Sequence, residues 1–261
     1  MKNFGFIGMG NMAQALAGGF LEKDVIKREQ LFAYAPHQDK LAKNAQKLGF
    51  TPVCSLKELT EKCDTLFMAC KPYQIESVLS EIGNDIDGKT LISVAAGWDF
   101  EKYAPFLKNT AFQFVMPNTP AFVAEGVFLF EQKNSLDARD RAEIIKMFEN
   151  LGTVIEMSSE LMGIGGAVSG CGPAFVDMMM EAYADAAVKY GIQRPVAYKM
   201  VAQMILGAAK LQLETGKHPG VLKDEVCSPG GTTIRGVAAL EEKGFRDACI
   251  SSIDAIMNFK R

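Results

Sequence analysis

The run Gly8-Met9-Gly10-Asn11-Met12-Ala13 constrains this chain more than any other segment. It has the form G-x-G-x-x-A. Residues 3–8 before it read as a short buried strand. In residues 11–22 after it, Met12, Leu16, Phe20 and Ala13, Ala17, Leu21 recur at helical spacing. In a strand–turn–helix, the first glycine makes the tight turn. The second lets the backbone approach a pyrophosphate, and the small third residue lets helix and strand pack closely. The helix start then offers N–H groups and the positive end of its dipole to phosphate oxygens. A tight turn without a ligand is the simpler alternative, but the motif opens a whole series of strands and helices, which favours a dinucleotide.

That series predicts strands at 31–35, 65–69, 90–94, 111–116, 127–130 and 151–156. Helices are expected over 38–48, 72–82, 99–107 and 136–150. Strands alternating with helices make an α/β chain with a mostly parallel sheet. After about residue 160 the strand signals fade. Helices are expected over 172–190 and from near Pro195 to about Glu214. The second is apolar on nearly every side, so it should be buried. A small helical region cannot hide that much apolar surface alone, and a homo-oligomeric interface solves the problem. The division falls at 158/159: 1–158 as the nucleotide-binding domain, 159–261 as a helical oligomerisation and substrate domain.

Composition narrows the classes. Of 261 residues, 48% are hydrophobic and 23% charged, which excludes a disordered chain. Lys+Arg is 28 against Asp+Glu 31, for a net charge of -3. No nucleic-acid surface or polybasic membrane patch is expected. The six cysteines are scattered, with no C-x-x-C pair, and there are two histidines, so no metal site is expected. Glycines interrupt the apolar start, and no apolar stretch spans a bilayer, so a cytoplasmic protein with free thiols is expected.

The second strand bears on the cofactor. An Asp or Glu about 20 residues beyond the glycine loop would bind a ribose 2′-hydroxyl. Here the strand ends Tyr34-Ala35-Pro36-His37, and Asp39 falls inside the following helix. With His37 and Lys40 as cationic neighbours, the tip favours NADPH over NADH. A second glycine cluster stands at 228–234, Ser-Pro-Gly-Gly-Thr-Thr-Ile, before a helical run. Its backbone N–H groups can converge on an anion such as a small carboxylate. Simple capping by Ser or Thr is the plain alternative.

Residues 218–244, HPGVLKDEVCSPGGTTIRGVAALEEKG, resemble the signature of pyrroline-5-carboxylate reductases. So do four other segments: 5–17, the run Ala69-Cys70-Lys71-Pro72, Met116-Pro117-Asn118-Thr119-Pro120, and 168–175 (VSGCGPAF). Residues 93–97 resemble the family's strand-end segment. The resemblance implies a Rossmann-like N-terminal dinucleotide-binding domain and a C-terminal all-helical dimerisation domain. It further implies a homodimer, assembled in several members as a decamer, and an NADPH-dependent reduction of a cyclic imine carboxylate to proline. Cofactor contacts are implied at Ile7, Gly8, Met9, Gly10, Asn11 and Met12, and at Ala35, His37 and Ser55. Others are implied at Ala69, Cys70, Lys71, Pro72, Ala95, Ala96, Gly97 and Asn118. Ser228, Gly230, Gly231, Thr232 and Thr233 are implied to hold the substrate carboxylate, with Thr233 facing the imine nitrogen as the catalytic residue.

The chain departs from the family pattern at Phe114, where arginine is common. It departs again at Gly163-Ile164-Gly165-Gly166, where D-A-V-T is common, and at Cys171 and Cys227, where serine is frequent. Two alternatives follow: a reductase of another cyclic imine acid, or a non-catalytic NADPH-binding protein. The intact loop at 228–233 argues against the second. A β-hydroxyacid dehydrogenase would carry a lysine base on the helix after S-G-x-G, and that helix has no lysine before Lys189.

Overall fold

A computed structural model describes residues 2–259. The chain forms two compact units, one ending at Gly170 and the other beginning at Cys171. In the first unit the strands are β1 (Phe4–Ile7), β2 (Leu31–Tyr34), β3 (Thr51–Pro52), β4 (Thr65–Met68), β5 (Thr90–Ser93), β6 (Ala111–Met116), β7 (Gly126–Glu131) and β8 (Gly152–Met157). Between and after them lie α1 (Asn11–Glu22), α2 (Gln38–Leu48), α3 (Leu56–Lys62), α4 (Ile75–Ile82), α5 (Phe100–Tyr103), α6 (Ala138–Glu149) and α7 (Met162–Gly166). The sheet order is β3-β2-β1-β4-β5-β6-β7-β8. Pairing from β3 to β6 is parallel, β7 runs antiparallel to β6, and β8 is parallel to β7.

A parallel sheet is covered on both faces, so its strands are apolar throughout rather than alternating with polar residues. Phe6, Phe67, Ile92, Val115, Phe128 and Phe130 point into one core with α1 and α6. Ile7, Leu66, Met68, Leu91, Phe112 and Phe114 point into the other, with α3 and α4. Phe148 of α6 is the hub of the first core. Its ring meets Phe20, Phe128 and Phe130 edge-on at centroid distances of 5.4, 5.0 and 5.3 Å.

The expected strands and the helices over 11–22 and 38–48 are present within a residue or so of the predicted limits. The short β3 and α3 escaped the sequence pattern, since a two-residue strand has no periodicity to read. The first compact unit extends to Gly170. Residues after β8 pack on the sheet: Met162 is buried with the second core. At Gly166 a side chain would meet Met116 Sδ, so it would need Met116 to move aside. Phe114 is 2% exposed and is core filling.

The second unit holds α8 (Gly172–Lys189), α9 (Arg194–Thr215), α10 (Pro219–Val226), α11 (Thr232–Glu242) and α12 (Phe245–Met257). A π-helical turn, residues 167–171, leads into α8. α8 and α9 form a hairpin around Ala184, Ala197 and Val201, with Met180, Val188 and Ile205 against them. Arg194 fastens it to Asp185 at 2.6 Å.

Candidate functional site

The loops that follow β1, β2, β4 and β5 share the carboxyl edge of the sheet. β1 and β4 are neighbours, with β2 to one side and β5 to the other, so the strand order reverses between them. In open α/β sheets the crevice at such a switch point binds ligands. Gly8 has φ +95°, and a Cβ there would lie 2.9 Å from the backbone of Ala69 and Cys70. Only glycine lets the β1 and β4 ends approach this closely. At Gly10 the Cβ position has no neighbour within 4 Å, so that side of the loop is open.

α1 begins at Asn11 with no side-chain cap and no acidic residue in its first turn. The first-turn N–H groups have no helical partner, and no carboxylate competes for them. The Met9 carbonyl accepts from Gln14 Nε2 at 3.1 Å and from Asn44 Nδ2 at 3.3 Å.

After β2, Ala35 and the exposed His37 precede α2, with His37 at the helix cap. Asp39 sits in the first turn of α2, and Lys40 is exposed beside it. Ser55 caps α3, accepting from the Glu58 N–H at 3.1 Å. Ala69 and Cys70 follow β4. Burial pushes the Cys70 thiol up to about 11, so it stays neutral and adds no negative charge to this edge. Lys71 and Pro72 open the next turn, and the Lys71 N–H is held by Gln74 Oε1 at 3.1 Å.

The loop after β5, with Ala95, Ala96 and Gly97, is anchored at both ends. Ser93 Oγ accepts from the Ala95 N–H at 3.3 Å and meets the Tyr103 hydroxyl at 2.9 Å. The Gly97 carbonyl accepts from Lys102 Nζ. Glu131, fully buried at the end of β7, accepts from the Phe100 N–H at 2.9 Å and from Ser159 Oγ at 2.6 Å. Burial pushes its carboxyl above the ordinary range, and nearby Asp99 and Glu160 push the same way. Asn118, after β6, has both amide ends engaged. Oδ1 accepts from the Val127 N–H at 2.9 Å, and Nδ2 donates to the Ser169 carbonyl at 3.0 Å. Its side chain braces the turn into the π-helical segment.

Glu131, Gln14 and Asn44 carry no motif in the sequence, because what each does depends on a hydrogen-bond partner that it meets only in the folded chain. A cleft of about 370 Å³ involving Lys2 and Phe4 lies at the opposite, amino edge of the sheet. Its Lys2 is already paired with Asp140 and Glu143. No cluster of three or more His, Cys, Asp or Glu able to hold a metal occurs among the described residues. Among those residues, no helix is long and apolar enough to cross a membrane.

In the second unit, Ser228, Pro229 and Gly230 form the turn between α10 and α11. The Gly231 N–H donates to the Ser228 carbonyl at 3.0 Å, and Gly230 has φ +67°. Thr232 opens α11, whose start has no side-chain cap and no acid. The capping alternative therefore fails: neither threonine caps this helix. Thr232 and Thr233 are exposed.

The switch-point loop, the uncapped α1 and the acid-free β2 tip define a Rossmann-type dinucleotide-binding protein, here with a helical second unit. Residues 3–97 match the family model described as NADP oxidoreductase, coenzyme F420-dependent, and residues 159–261 match that for pyrroline-5-carboxylate reductase dimerisation. The pyrroline-5-carboxylate reductase of Treponema pallidum (strain Nichols) is 38% identical, over 98% of this chain and 99% of its own. That of Escherichia coli (strain K12) is 40% identical, over 98% and 96%. The crystal structure of Plasmodium falciparum pyrroline carboxylate reductase with NADP bound superposes with a TM-score of 0.88 at 32% identity, covering 98% of this chain and 95% of that one. The chain belongs to the pyrroline-5-carboxylate reductase family.

Proposed function

We propose that this chain reduces the C=N bond of Δ1-pyrroline-5-carboxylate to L-proline with NADPH, the last step of proline biosynthesis. The observation that carries the reading is the open, acid-free start of α1 at the switch point, in a chain of this family. It fits a dinucleotide pyrophosphate: the N–H groups are free, the Gly10 side is open, and Gly8 admits the close approach. Ile7 to Met12, Ala35, His37, Ser55, Ala69 to Pro72 and Ala95 to Gly97 form the cofactor edge. Asn118 supports it from behind.

When bound, the cofactor supplies a hydride that ends on C5 of the ring, while the protonated nitrogen takes the former π electron pair. A protonated imine needs no strong acid, so the chain's task is alignment. The N–H groups at the start of α11 hold the carboxylate, with Ser228, Gly230, Gly231 and Thr232 shaping that turn. The Thr233 hydroxyl orients the ring nitrogen. The cofactor work falls to 1–158, and substrate binding and pairing to 159–261. The active form is a homodimer, and the site of action is the cytoplasm.

Purified protein mixed with NADPH and Δ1-pyrroline-5-carboxylate should consume NADPH and yield proline. A six-membered imine acid and a 2-oxo acid should react poorly. Turnover only with the six-membered acid would transfer the reading to another cyclic imine, and no turnover at all would contradict it. Replacing His37 and Lys40 together by Ala should raise KM for NADPH more than for NADH. Equal effects would remove the 2′-phosphate assignment.

A further inference from the structure

Glycine at position 10 creates a problem as well as an opening. Flipping the peptide between Met9 and Gly10 changes ψ of residue 9 and φ of residue 10, and glycine accepts positive φ at no steric cost. One orientation aims the Gly10 N–H at the ligand side. The other aims the Met9 carbonyl there, with its lone pairs facing a phosphate. Something must choose between them.

The two amide side chains on Met9 make that choice. Gln14 Nε2 reaches the Met9 carbonyl from α1 at 3.1 Å, and Asn44 Nδ2 reaches it from α2 at 3.3 Å. All peptide bonds of the described chain are trans. In a trans peptide the N–H points opposite to the C=O. Holding the carbonyl inward, between α1 and α2, therefore fixes the Gly10 N–H outward. Both bonds to this carbonyl are part-buried, so losing the donors leaves an acceptor that water satisfies less well than in open solvent. Gln14 also sits in a run of small and apolar residues, AQALAGG, where helix packing alone does not ask for an amide.

We infer that Gln14 and Asn44 are positioning residues that clamp the Met9–Gly10 peptide with its N–H toward the cofactor pyrophosphate. The inference rests on the cofactor reading above and deepens it. Neither side chain touches the cofactor; both act through one backbone group. Either donor alone still disfavours the flip, so the two are partly redundant.

The test uses the full-length protein and two ligands: NADPH, and 2′-AMP, which has the adenosine 2′-phosphate but no pyrophosphate. Gln14→Met and Asn44→Ala should each weaken NADPH binding by about two- to threefold. The double variant should weaken it by about tenfold or more, the range expected for neutral hydrogen bonds. Affinity for 2′-AMP should stay within about twofold of wild type, a split that general loosening of the fold would not give. Unchanged NADPH affinity in a folded double variant overturns the clamp. So does an equal loss for both ligands, which would mean a merely structural role. If the double variant fails to fold, two single variants with wild-type NADPH affinity overturn it as well. A wild-type protein that binds no NADPH overturns the cofactor reading itself and the clamp with it.

Discussion

The two units of this chain are both rich in apolar side chains, but they place them differently. All twelve of the largest fully buried side chains belong to the first unit, among them Phe6, Phe20, Phe67, Phe128 and Phe148. Among its described residues, the second unit buries only Ala184, Ala197 and Val201 within the single chain. It leaves Leu213 76%, Met178 69% and Leu206 52% exposed. The first unit closes its own core on both faces of a sheet. The helices of the second carry a comparable hydrophobic pattern without enough surface to close on, which is the condition that favours a second copy. Composition alone could not separate these cases; the period of the pattern and the number of elements sharing it do.

The sharpest way to break this contrast is to remove the hub of the first core. Phe148→Ala should lower the unfolding free energy by about 3–5 kcal/mol, measured by urea denaturation. A loss below about 1 kcal/mol would mean that the first unit does not depend on its own core. A smaller effect is expected at the exposed start of α11, the proposed substrate site. Thr233→Ala should reduce kcat/KM by about tenfold, or ~1.4 kcal/mol, with an unchanged unfolding midpoint. Unchanged kinetics would take the reaction away from this helix start.

The smallest expected effect belongs to Glu131, a charged group inside the self-sufficient unit. Burial raises its folded value above the ordinary 4.5. A raised carboxyl contributes stability that is fully present below the unfolded value and is lost as pH rises through the folded one. Glu131→Gln removes that loss. Its amide can still accept from the Phe100 N–H and donate to Ser159 Oγ. The variant should therefore gain on wild type as pH rises above the ordinary carboxylate range. Parallel stability profiles above that range would contradict the assignment.

Much of the first unit was legible because its signals are local. Gly8, Gly10 and Ala13 place a strand end, a turn and a helix in eleven residues or so. The acid-free tip at Tyr34 to His37 could be read the same way. Glu131, Gln14 and Asn44 could not, since their partners lie on other elements and exist only after folding. In the second unit the long α8 and α9 were visible from their apolar length, while α10 and α12 were not anticipated. The glycines at 165 and 166 looked like departures; the structure pairs them with Met157 and Met116, whose sulfur atoms occupy the space a side chain would need.

The division of labour itself has one direct test. Leu206 and Leu213 lie seven residues apart on α9, on the same helix face. The double replacement Leu206→Glu, Leu213→Glu should convert the proposed dimer to a monomer in sedimentation. The account predicts that this monomer still binds NADPH with wild-type affinity and no longer turns over Δ1-pyrroline-5-carboxylate. A monomer with full turnover, or one that loses NADPH binding together with turnover while its first unit stays folded, would contradict it.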